Sequence, residues 1–187
     1  MKLGFFGGSF NPPTIAHYNL INQALNDYKF DIVYFVPVNN YYQKPNLLPI
    51  EKRIEMLKLI CQNNKIQVLD IEKNIEKKLN AIDIFKIIEE NYSNDEIVFF
   101  LGEDNYKKMH TWKNYEELQK YQYIVFQRED KKEISIKQKN IIYMKNSENL
   151  KISSTYIREK IKNKESISNL VTKEIEEYIL QNKLYIS

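Results

Sequence analysis

Apolar residues follow two patterns along this chain of 187 residues. Six apolar runs of five to seven residues predict β-strands, and elsewhere apolar residues recur every three or four positions, the spacing of one helix face. The predicted strands cover residues 2–6, 31–37, 66–71, 96–102, 122–128 and 140–144. The predicted helices cover residues 18–28, 50–61, 81–92, 157–161 and 175–179. Strand and helix therefore alternate through most of the sequence.

This alternation predicts an α/β fold in which helices flank a parallel sheet and connect its strands by right-handed crossovers. The run EIVFFLG at 96–102 is apolar almost throughout and ends at a glycine, as expected for a parallel strand covered on both faces. The polar segment 39–49 predicts a loop, and the segment 129–139 predicts a solvated loop or edge. Because ligands bind beyond the carboxyl ends of strands in open parallel sheets, the residues just after each strand are the candidates for a site.

Composition narrows the class of protein. The length suits a single domain over 1–187, and 43% apolar and 28% charged residues are ordinary for a globular protein. No apolar run is long enough to cross a bilayer and the N-terminal segment is too short for a signal peptide, so we expect no membrane association and a cytoplasmic location. The formal net charge of +3 is too small to indicate a nucleic-acid partner. The single cysteine, Cys61, excludes an internal disulfide and falls on the apolar side of a predicted helix.

The segment GGSFNPPTIAH, residues 7–17, follows the first predicted strand and holds two of the four glycines of the chain. Gly7 and Gly8 lack a Cβ, so we expect the main chain to turn tightly here and to approach a ligand closely. Thr14 and His17 lie three residues apart at the next helix start and can face one point, where the helix dipole favours an anion. The backbone N–H groups expected to point at phosphate oxygens are those of Gly8, Ser9 and Phe10. The alternative is a strand-to-helix turn in which Thr14 is the N-cap and His17 is a surface residue.

A second helix start, ISSTYIREKI at 152–161, offers the same kind of anion site. Ser153 or Ser154 is expected to be the N-cap, with Thr155 in the first turn. Arg158 lies one turn in from Ser154, so its guanidinium can reach an anion bound by the hydroxyl and N–H groups of this turn. The alternative is a capped amphipathic helix with a solvated arginine.

These two segments resemble the signatures of a known group of enzymes. GGSFNPPTIAH resembles the string G-[GS]-[ST]-F-[DN]-P-x-[HT]-x-G-H of the nucleotidyltransferase superfamily, and ISSTYIR resembles its second signature, I-S-S-T-x-[IV]-R. The segment LGEDNYKKMHTW at 101–112 is similar to the G-x-D…W segment of the bacterial nicotinate-mononucleotide adenylyltransferases. The loop PVNNYYQKP and the helix segment RIEML also stand where that family has similar segments, so the resemblance covers nearly the whole chain.

The resemblance implies a Rossmann-like parallel sheet with a small helical C-terminal part, from about 153 to 187. It also implies transfer of AMP from ATP to nicotinate mononucleotide, which gives deamido-NAD and pyrophosphate in NAD biosynthesis. Mg²⁺ is expected to bind mainly through the ATP phosphates, with no metal-ligating residues on the protein. The expected partners are ATP and a pyridine mononucleotide, and the sequence leaves open whether the chain is a monomer or a homo-oligomer.

The resemblance also assigns roles to particular positions. His17 is expected to contact the ATP phosphates and to stabilise charge on the α-phosphate, and with Thr14 and Arg158 it forms the expected catalytic set. The residues expected to bind ATP are Gly8, Ser9, Phe10, His17, Gly102, Asp104, Ser154, Thr155 and Arg158. The residues expected to bind the acceptor are Lys44, Asp83, Trp112 and Arg128.

Some of these positions also have a plainer interpretation. Gly102 and Asp104 are assigned to the ATP ribose, but an aspartate at this point can instead be a helix N-cap. Lys44 is assigned to the acceptor phosphate and Trp112 to stacking on the pyridine ring; the alternatives are a solvated loop lysine and a core aromatic. Arg128 matches an arginine of the family, and its alternative is a surface ion pair.

Three positions depart from the family pattern. Ala16 stands for the glycine of H-x-G-H, and Gln43 precedes Lys44 where the family has Pro-His-Lys. The family's Ser-Tyr-Thr turn, whose backbone recognises the pyridine carboxylate, aligns with LNAID near 79–83, which has neither a hydroxyl group nor a tyrosine. The last residue of this segment, Asp83, matches the aspartate that follows the turn in the family. Backbone N–H groups can still bind a carboxylate, so we expect nicotinate mononucleotide as the acceptor. The alternatives are nicotinamide mononucleotide or another phosphorylated acceptor, and a nucleotide-binding module without turnover.

Overall fold

The computed structural model describes residues 1–42, 44, 46–127, 140–145 and 152–186. The strands are β1 Lys2–Gly8, β2 Ile32–Pro37, β3 Ile66–Val68, β4 Glu96–Gly102, β5 Gln122–Gln127 and β6 Ile141–Lys145. The helices are α1 Ile15–Tyr28, α2 Ile50–Ile60, α3 Ala81–Asn91, α4 Glu103–Lys108, α5 Tyr115–Leu118, α6 Ser154–Lys162 and α7 Lys173–Gln181, with 3₁₀ turns at Asn40–Tyr42 and Met109–Thr111. The predicted site residue Arg128, the predicted loop or edge at 129–139 and Gln43 lie outside the described residues.

All six described strands run parallel in one sheet, in the order β3-β2-β1-β4-β5-β6. This order, with helices on both faces, confirms the predicted Rossmann-like α/β fold. Among the described residues, no helix has the length and apolar character needed to cross a bilayer. The chain starts in the middle of the sheet, builds outward to β3 and then crosses to β4 on the other side of β1. The strand order reverses between β1 and β4, and a crevice therefore opens beyond their carboxyl ends.

Alternate residues of each strand pack on opposite faces, so the sheet separates two apolar cores. In β1, Leu3 and Phe5 belong to one core, while Phe6 belongs to the other. Helices α1, α2, α6 and α7 cover the face of Phe6, and α3 with the segment 109–118 covers the opposite face. Residues 98–101 of β4 are at most 8% exposed, because both faces of this strand are covered. This explains the continuous apolar run that the sequence shows there.

The structure differs from the predicted elements in two places. The strand predicted over 66–71 covers only Ile66–Val68, because the chain then folds into turns, in which the Lys73 N–H donates to the Asp70 carbonyl. The segment 103–118, for which the apolar pattern predicts no element, forms α4, a 3₁₀ turn and α5. These two helices have six and four residues, too few to show a helical repeat in the sequence.

The C-terminal helices share a core with the sheet. Ile157 of α6 and Ile175 and Ile179 of α7 are at most 1% exposed and belong to the same apolar cluster as residues of β1, β2 and β4. A backbone hydrogen bond of 2.9 Å from the Ile15 N–H to the Leu170 carbonyl joins the start of α1 to the segment before α7. The last part of the chain is therefore held against the connection between β1 and α1.

Cys61 follows the last residue of α2 and is partly buried against the apolar core, in agreement with the sequence pattern. Burial raises the pKa of its thiol to about 11. Because the thiolate is the reactive form, this thiol is inert at neutral pH and acts as a packing group.

The buried position of Ile179 allows a test of the C-terminal packing. Ile179 is 1% exposed, whereas its neighbour Leu180 is 65% exposed. Ile179→Ala removes packed methylene groups and should lower the free energy of unfolding by about 2–5 kcal/mol. Leu180→Ala is the matched control and should change it by less than about 0.5 kcal/mol. Urea unfolding followed by circular dichroism measures both values, and equal effects would contradict the packing described here.

Candidate active site

Two cavities open side by side beyond the carboxyl ends of β1 and β4. The larger cavity has a volume of about 470 Å³ and extends to the start of α3; the smaller cavity, of about 200 Å³, lies over the start of α1. The residues that line both cavities are Gly7, Gly8, Ser9, Lys44 and Asn105. The two cavities therefore meet at the end of β1 and form one cleft with two compartments, at the place where this fold binds ligands.

His17 and Thr14 line the smaller cavity and fix each other's geometry. The Thr14 N–H donates to His17 Nδ1 at 3.0 Å, and Thr14 Oγ1 accepts from the His17 N–H at 3.3 Å, which makes Thr14 the N-cap of α1 in a capping box. Because a backbone N–H can only donate, Nδ1 is an acceptor, and a neutral His17 carries its hydrogen on Nε2. Thr14 is thus an N-cap and a cleft residue at once, and it selects the tautomer of His17.

The turn after β1 does not use the glycines. Gly7 and Gly8 belong to β1, and none of the four glycines of the chain has a positive φ, so the predicted glycine turn is wrong. The chain instead turns at Phe10, whose φ of 46° is unfavourable for a residue with a Cβ. The Phe10 ring is 2% exposed and packs edge-on against the rings of Phe6 and His17. Packing of this ring therefore holds the residue in its conformation.

The glycines shape the cleft through the space that they leave. A Cβ built on Gly7 or Gly102 would meet no atom within 4 Å, so both positions border open space of the cleft. A Cβ on Gly8 would lie 2.8 Å from the Phe10 ring, closer than two carbon atoms can approach. Gly7 and Gly102 therefore leave room for a ligand, whereas Gly8 leaves room for Phe10.

Asn11 joins distant segments to the connection between β1 and α1. The residue is 4% exposed, and its Nδ2 donates to the Asn46 carbonyl at 2.7 Å. Its Oδ1 accepts from the Leu48 N–H at 3.3 Å and from the Tyr185 hydroxyl at 2.8 Å. Its carbonyl accepts from Arg158 Nη1 at 2.8 Å. Asn11 thus attaches both the loop before α2 and the C-terminal part of the chain to the segment that carries His17.

The second predicted signature packs on the same connection. Ser153 is the N-cap of α6, and its Oγ accepts from a backbone N–H of the first turn at 3.1 Å. Ser154 Oγ donates to the Pro12 carbonyl at 2.8 Å, and Arg158 Nη2 donates to Thr155 Oγ1 at 3.2 Å. The two helix starts that the sequence marks as anion sites therefore lie in the same part of the molecule.

Arg53 of α2 is completely buried and was missed from the sequence as a site residue. Its guanidinium donates to the Leu48 carbonyl at 2.8 Å, the Ser9 carbonyl at 2.9 Å and Asn40 Oδ1 at 3.2 Å. Burial lowers its pKa to about 10, so the group remains charged at neutral pH and holds the loop before α2 to the end of β1. One signal was available: Arg53 lies three residues after Ile50, on the apolar face of the helix.

The larger cavity combines an apolar wall with positive charge. Its apolar lining includes Phe5, Val36, Leu79, Ile84, Phe99 and the half-buried Trp112. Lys44, Lys78 and Lys113 also line it. Among its described lining residues the one carboxylate is that of Glu72, which is completely buried. The cavity therefore suits an anionic ligand that contains a flat ring.

Lys44 lies where the two cavities meet. Its Nζ donates to Ser9 Oγ at 2.6 Å, so the side chain is attached to the segment that follows β1. Partial burial, together with the charges of Arg53 and Lys78, lowers the pKa of Lys44. A ligand group that reaches from one cavity into the other would pass this ammonium group.

Glu72 and Asn39 connect the segments at the rim of the larger cavity. Glu72 Oε2 accepts from the Asn39 N–H at 3.2 Å, while its Oε1 has no partner in the described part of the chain. Asn39 Nδ2 donates to the Lys77 carbonyl at 2.7 Å, and the Tyr42 hydroxyl donates to the Leu79 carbonyl at 2.7 Å. Burial raises the pKa of Glu72 to about 7. Sequence reasoning missed both residues, because their burial depends on segments far apart in the chain.

Neither predicted aspartate is among the described residues that line the cavities. Asp83 lies in the first turn of α3, where its Oδ2 accepts from the Asn80 N–H at 2.9 Å and from Asn80 Nδ2 at 3.0 Å, and these bonds lower the pKa of Asp83. Asp104 is exposed in the first turn of α4, whose N-cap is Gly102. Gly102 and Asn105 are the residues of this segment that line the smaller cavity.

The residues around the smaller cavity are poor ligands for a metal ion. In the described ranges, no three or more His, Cys, Asp or Glu side chains gather closely enough to hold one. The polar groups that line this cavity are hydroxyl, amide, imidazole and ammonium groups, with no carboxylate among the described residues. Mg²⁺ prefers carboxylate and phosphate oxygens, so a magnesium ion fits here only as a companion of a phosphate ligand.

Residues 5–160 match the family model described as cytidylyltransferase-like. This range contains every described residue that lines either cavity, and also the start of α6. The fold and the cleft thus define a protein of the cytidylyltransferase-like class.

Curated relatives narrow the class over the full length of the chain. "Probable nicotinate-nucleotide adenylyltransferase" of Fusobacterium nucleatum is 39% identical, over 96% of this chain and 97% of that protein. A protein of the same name from Cytophaga hutchinsonii is 34% identical over 99% and 98%, and "Nicotinate-nucleotide adenylyltransferase" of Bacillus subtilis is 28% identical over 100% and 99%. The chain belongs to the cytidylyltransferase-like family and, within it, to the nicotinate-nucleotide adenylyltransferases.

Solved structures share the fold. The Plasmodium falciparum nicotinic acid mononucleotide adenylyltransferase complexed with NaAD superposes with a TM-score of 0.85, over 98% of this chain and 97% of that chain, at 22% identity. The same protein complexed with APC superposes with a TM-score of 0.84, over 98% and 96%, also at 22% identity. At this identity the likeness establishes the Rossmann-like fold.

Alanine substitutions at Gly7 and Gly8 test which glycine leaves space for a ligand and which leaves space for a buried side chain. Gly7→Ala should leave the free energy of unfolding within about 0.5 kcal/mol of wild type and weaken ATP binding about ten- to hundredfold, because the new methyl group enters the cleft. Gly8→Ala should lower the free energy of unfolding by about 1–3 kcal/mol, because its Cβ meets the buried Phe10 ring. Urea unfolding and calorimetric titration with ATP measure both effects. The reverse pattern would show that the two positions have been assigned to the wrong neighbours.

Glu72 makes the stability of the fold depend on pH. Because burial raises its pKa from 4.5 to about 7, the folded chain binds this proton more tightly than the unfolded chain does. The stabilisation from proton binding is complete below pH 4.5 and is lost as the pH rises through about 7. Glu72→Gln cannot ionise, so its stability relative to wild type should increase over this range and stay constant above it. Urea unfolding at a series of pH values measures this, and parallel profiles for the two proteins would argue against a buried, titrating Glu72.

Proposed function

We propose that this chain transfers AMP from ATP to nicotinate mononucleotide, giving nicotinate adenine dinucleotide and pyrophosphate in NAD biosynthesis. The observation that carries the proposal is the pair of cavities that meet at the end of β1. One is bordered by His17 and the start of α1, and the other by Trp112 and three lysines. Two nucleotides that react end to end need one continuous cleft that holds both in line. The names of the curated relatives agree with this reaction.

ATP occupies the smaller cavity in this proposal. The start of α1 favours the negative charge of the phosphates, and Gly102 leaves open space beside them. The proposed ATP-binding residues that line this cavity are Gly8, Ser9, Phe10, His17 and Gly102. The other proposed ATP-binding residues, Asp104, Ser154, Thr155 and Arg158, lie outside its described lining. Mg²⁺ accompanies ATP on its phosphate oxygens and reduces their charge.

His17 is the proposed catalytic donor. Its Nδ1 is occupied by the Thr14 N–H, so Nε2 carries the hydrogen that stabilises charge on the α-phosphate. Thr14 acts as a positioning residue for this imidazole. Arg158 supplies a guanidinium for the β- and γ-phosphates while its Nη1 holds the Asn11 carbonyl.

The mononucleotide occupies the larger cavity. Its phosphate lies at Lys44, its ring stacks on Trp112, and its carboxylate lies at the start of α3, where Asp83 orders the turn. A phosphate oxygen of the mononucleotide attacks the α-phosphorus of ATP, the bond from this phosphorus to the bridging oxygen breaks, and pyrophosphate leaves. The protein forms no covalent bond, because this transfer needs only alignment and charge stabilisation. The positive lining of the cavity favours the acid nicotinate over the neutral nicotinamide.

Domain organisation, location and partners belong to the same proposal. The chain acts as a single domain, since the C-terminal helices pack in the same core as the sheet. Its place of action is the cytoplasm, where ATP and mononucleotides are available. ATP and the mononucleotide are its proposed partners.

A panel of acceptors tests the reaction. Purified protein is incubated with ATP and Mg²⁺ and with nicotinate mononucleotide, nicotinamide mononucleotide or phosphopantetheine, and pyrophosphate release is measured. We expect the fastest release with nicotinate mononucleotide. ATP binding in calorimetry without release for any acceptor would instead indicate a nucleotide-binding module without turnover.

His17→Ala tests the proposed donor, and His110→Ala is its matched control. His110 is the other histidine of the chain and is exposed outside both cavities. Loss of the donor at position 17 should lower kcat by about 100-fold or more, whereas the control should retain the wild-type rate. Pyrophosphate release measures kcat, and circular dichroism checks the fold. Near-normal turnover of His17→Ala would remove the imidazole from the mechanism.

A further inference from the structure

Lys78 lines the larger cavity, and the proposed reaction leaves it without a role. The residue is exposed, and its Nζ lies 5.5 Å from the centre of the Tyr42 ring. Within the described residues its ammonium group makes no ion pair. A cation that lies on the wall of a ligand cavity and has no carboxylate partner among the described residues is available to an anionic group of the ligand.

The surroundings of Lys78 hold it at the cavity. The Tyr42 hydroxyl donates to the carbonyl of Leu79, the next residue in the chain, at 2.7 Å. The carbonyl of the preceding residue, Lys77, accepts from Asn39 Nδ2 at 2.7 Å. The backbone on both sides of Lys78 is therefore anchored, and the Tyr42 ring attracts its ammonium group toward the wall of the cavity.

Positive charge exceeds negative charge on this cavity: Lys44, Lys78 and Lys113 line it, and Glu72 is the one carboxylate among its described lining residues. The charges of Arg53 and Lys78 both act on Lys44 and help to lower its pKa. The carboxylate in the lining, that of Glu72, is completely buried and accepts from the Asn39 N–H. The like charges of Lys44 and Lys78 on the lining of one cavity repel each other, and a ligand group with two negative charges would relieve the repulsion.

We propose that Lys78 binds the phosphate of the mononucleotide acceptor together with Lys44. The inference rests on the proposed function, which puts this phosphate at Lys44, where the two cavities meet. A phosphate monoester carries nearly two negative charges at neutral pH, and two ammonium groups match that charge. Lys78 then binds the phosphate of the acceptor and does not contact the carboxylate at its other end.

Fragments of the acceptor distinguish binding of its phosphate by Lys78 from binding of its carboxylate. Ribose 5-phosphate carries the phosphate without the carboxylate, and nicotinate riboside carries the carboxylate without the phosphate. Lys78→Met keeps most of the aliphatic side chain on Tyr42 and removes the charge. Calorimetric titration should show about tenfold weaker binding of nicotinate mononucleotide and of ribose 5-phosphate to Lys78→Met, with unchanged binding of nicotinate riboside.

Lys77→Met is the matched control, because Lys77 is an exposed neighbour whose side chain lines neither cavity. It should bind all three compounds as wild type does, and Lys78→Arg should restore most of the affinity for ribose 5-phosphate. Unchanged binding of ribose 5-phosphate to Lys78→Met, or a loss confined to nicotinate riboside, would overturn the proposal. Pyrophosphate release by the wild-type chain is measured separately. Its absence would contradict the proposed reaction, whereas the binding measurements alone decide the role of Lys78.

Discussion

The buried amide of Asn11 holds together the segments that form the cleft. It bonds to the loop before α2 and to Tyr185, and its backbone carbonyl accepts from Arg158. A buried hydrogen-bonding group left without its partner destabilises the fold by about 1–3 kcal/mol, so loss of this amide would affect several segments together. The same connection contains Phe10 at a φ of 46°, a conformation that persists only because the surrounding contacts impose it. The position of His17 therefore depends on bonds made outside its own helix.

The charges in the cleft depend on how burial shifts the pKa values of its residues, as well as on which residues are present. Arg53 is completely buried and stays charged, while Glu72 is completely buried and has a pKa raised to about 7. Burial disfavours the charged form of both groups, but the pKa of Arg53 stays well above neutral pH after this shift, whereas that of Glu72 reaches neutral pH. The side of the cleft that contains Lys44 and Lys78 consequently carries an excess of positive charge, which suits two phosphorylated substrates.

The starts of α1 and α6 show which features of the site could be predicted from the sequence. Thr14 with His17, and Ser153 with the first turn of α6, are caps that close within three residues, so they could be recognised from spacing. The glycine turn was wrong because glycine permits a positive φ without requiring it, and the packing of the Phe10 ring decided where the chain turns. Glu72 and Asn39 were missed, since a polar residue that becomes buried through distant segments has no distinctive local pattern. Arg53 was missed although its position on the apolar face of α2 was a signal.

Local spacing of apolar residues was enough to establish the order of the strands and the longer helices, the α/β class and the polar segments that follow the strands. Those features depend on neighbours within one or two helical turns. The meeting of the two helix starts could not be read in this way, because it rests on contacts such as that between Ser154 and Pro12, 142 residues apart. The convergence of Lys44 and Lys78 on one cavity and the burial of Glu72 have the same origin. Such features arise when separate segments pack together and change the solvation of their charges, and no short stretch of sequence encodes that change.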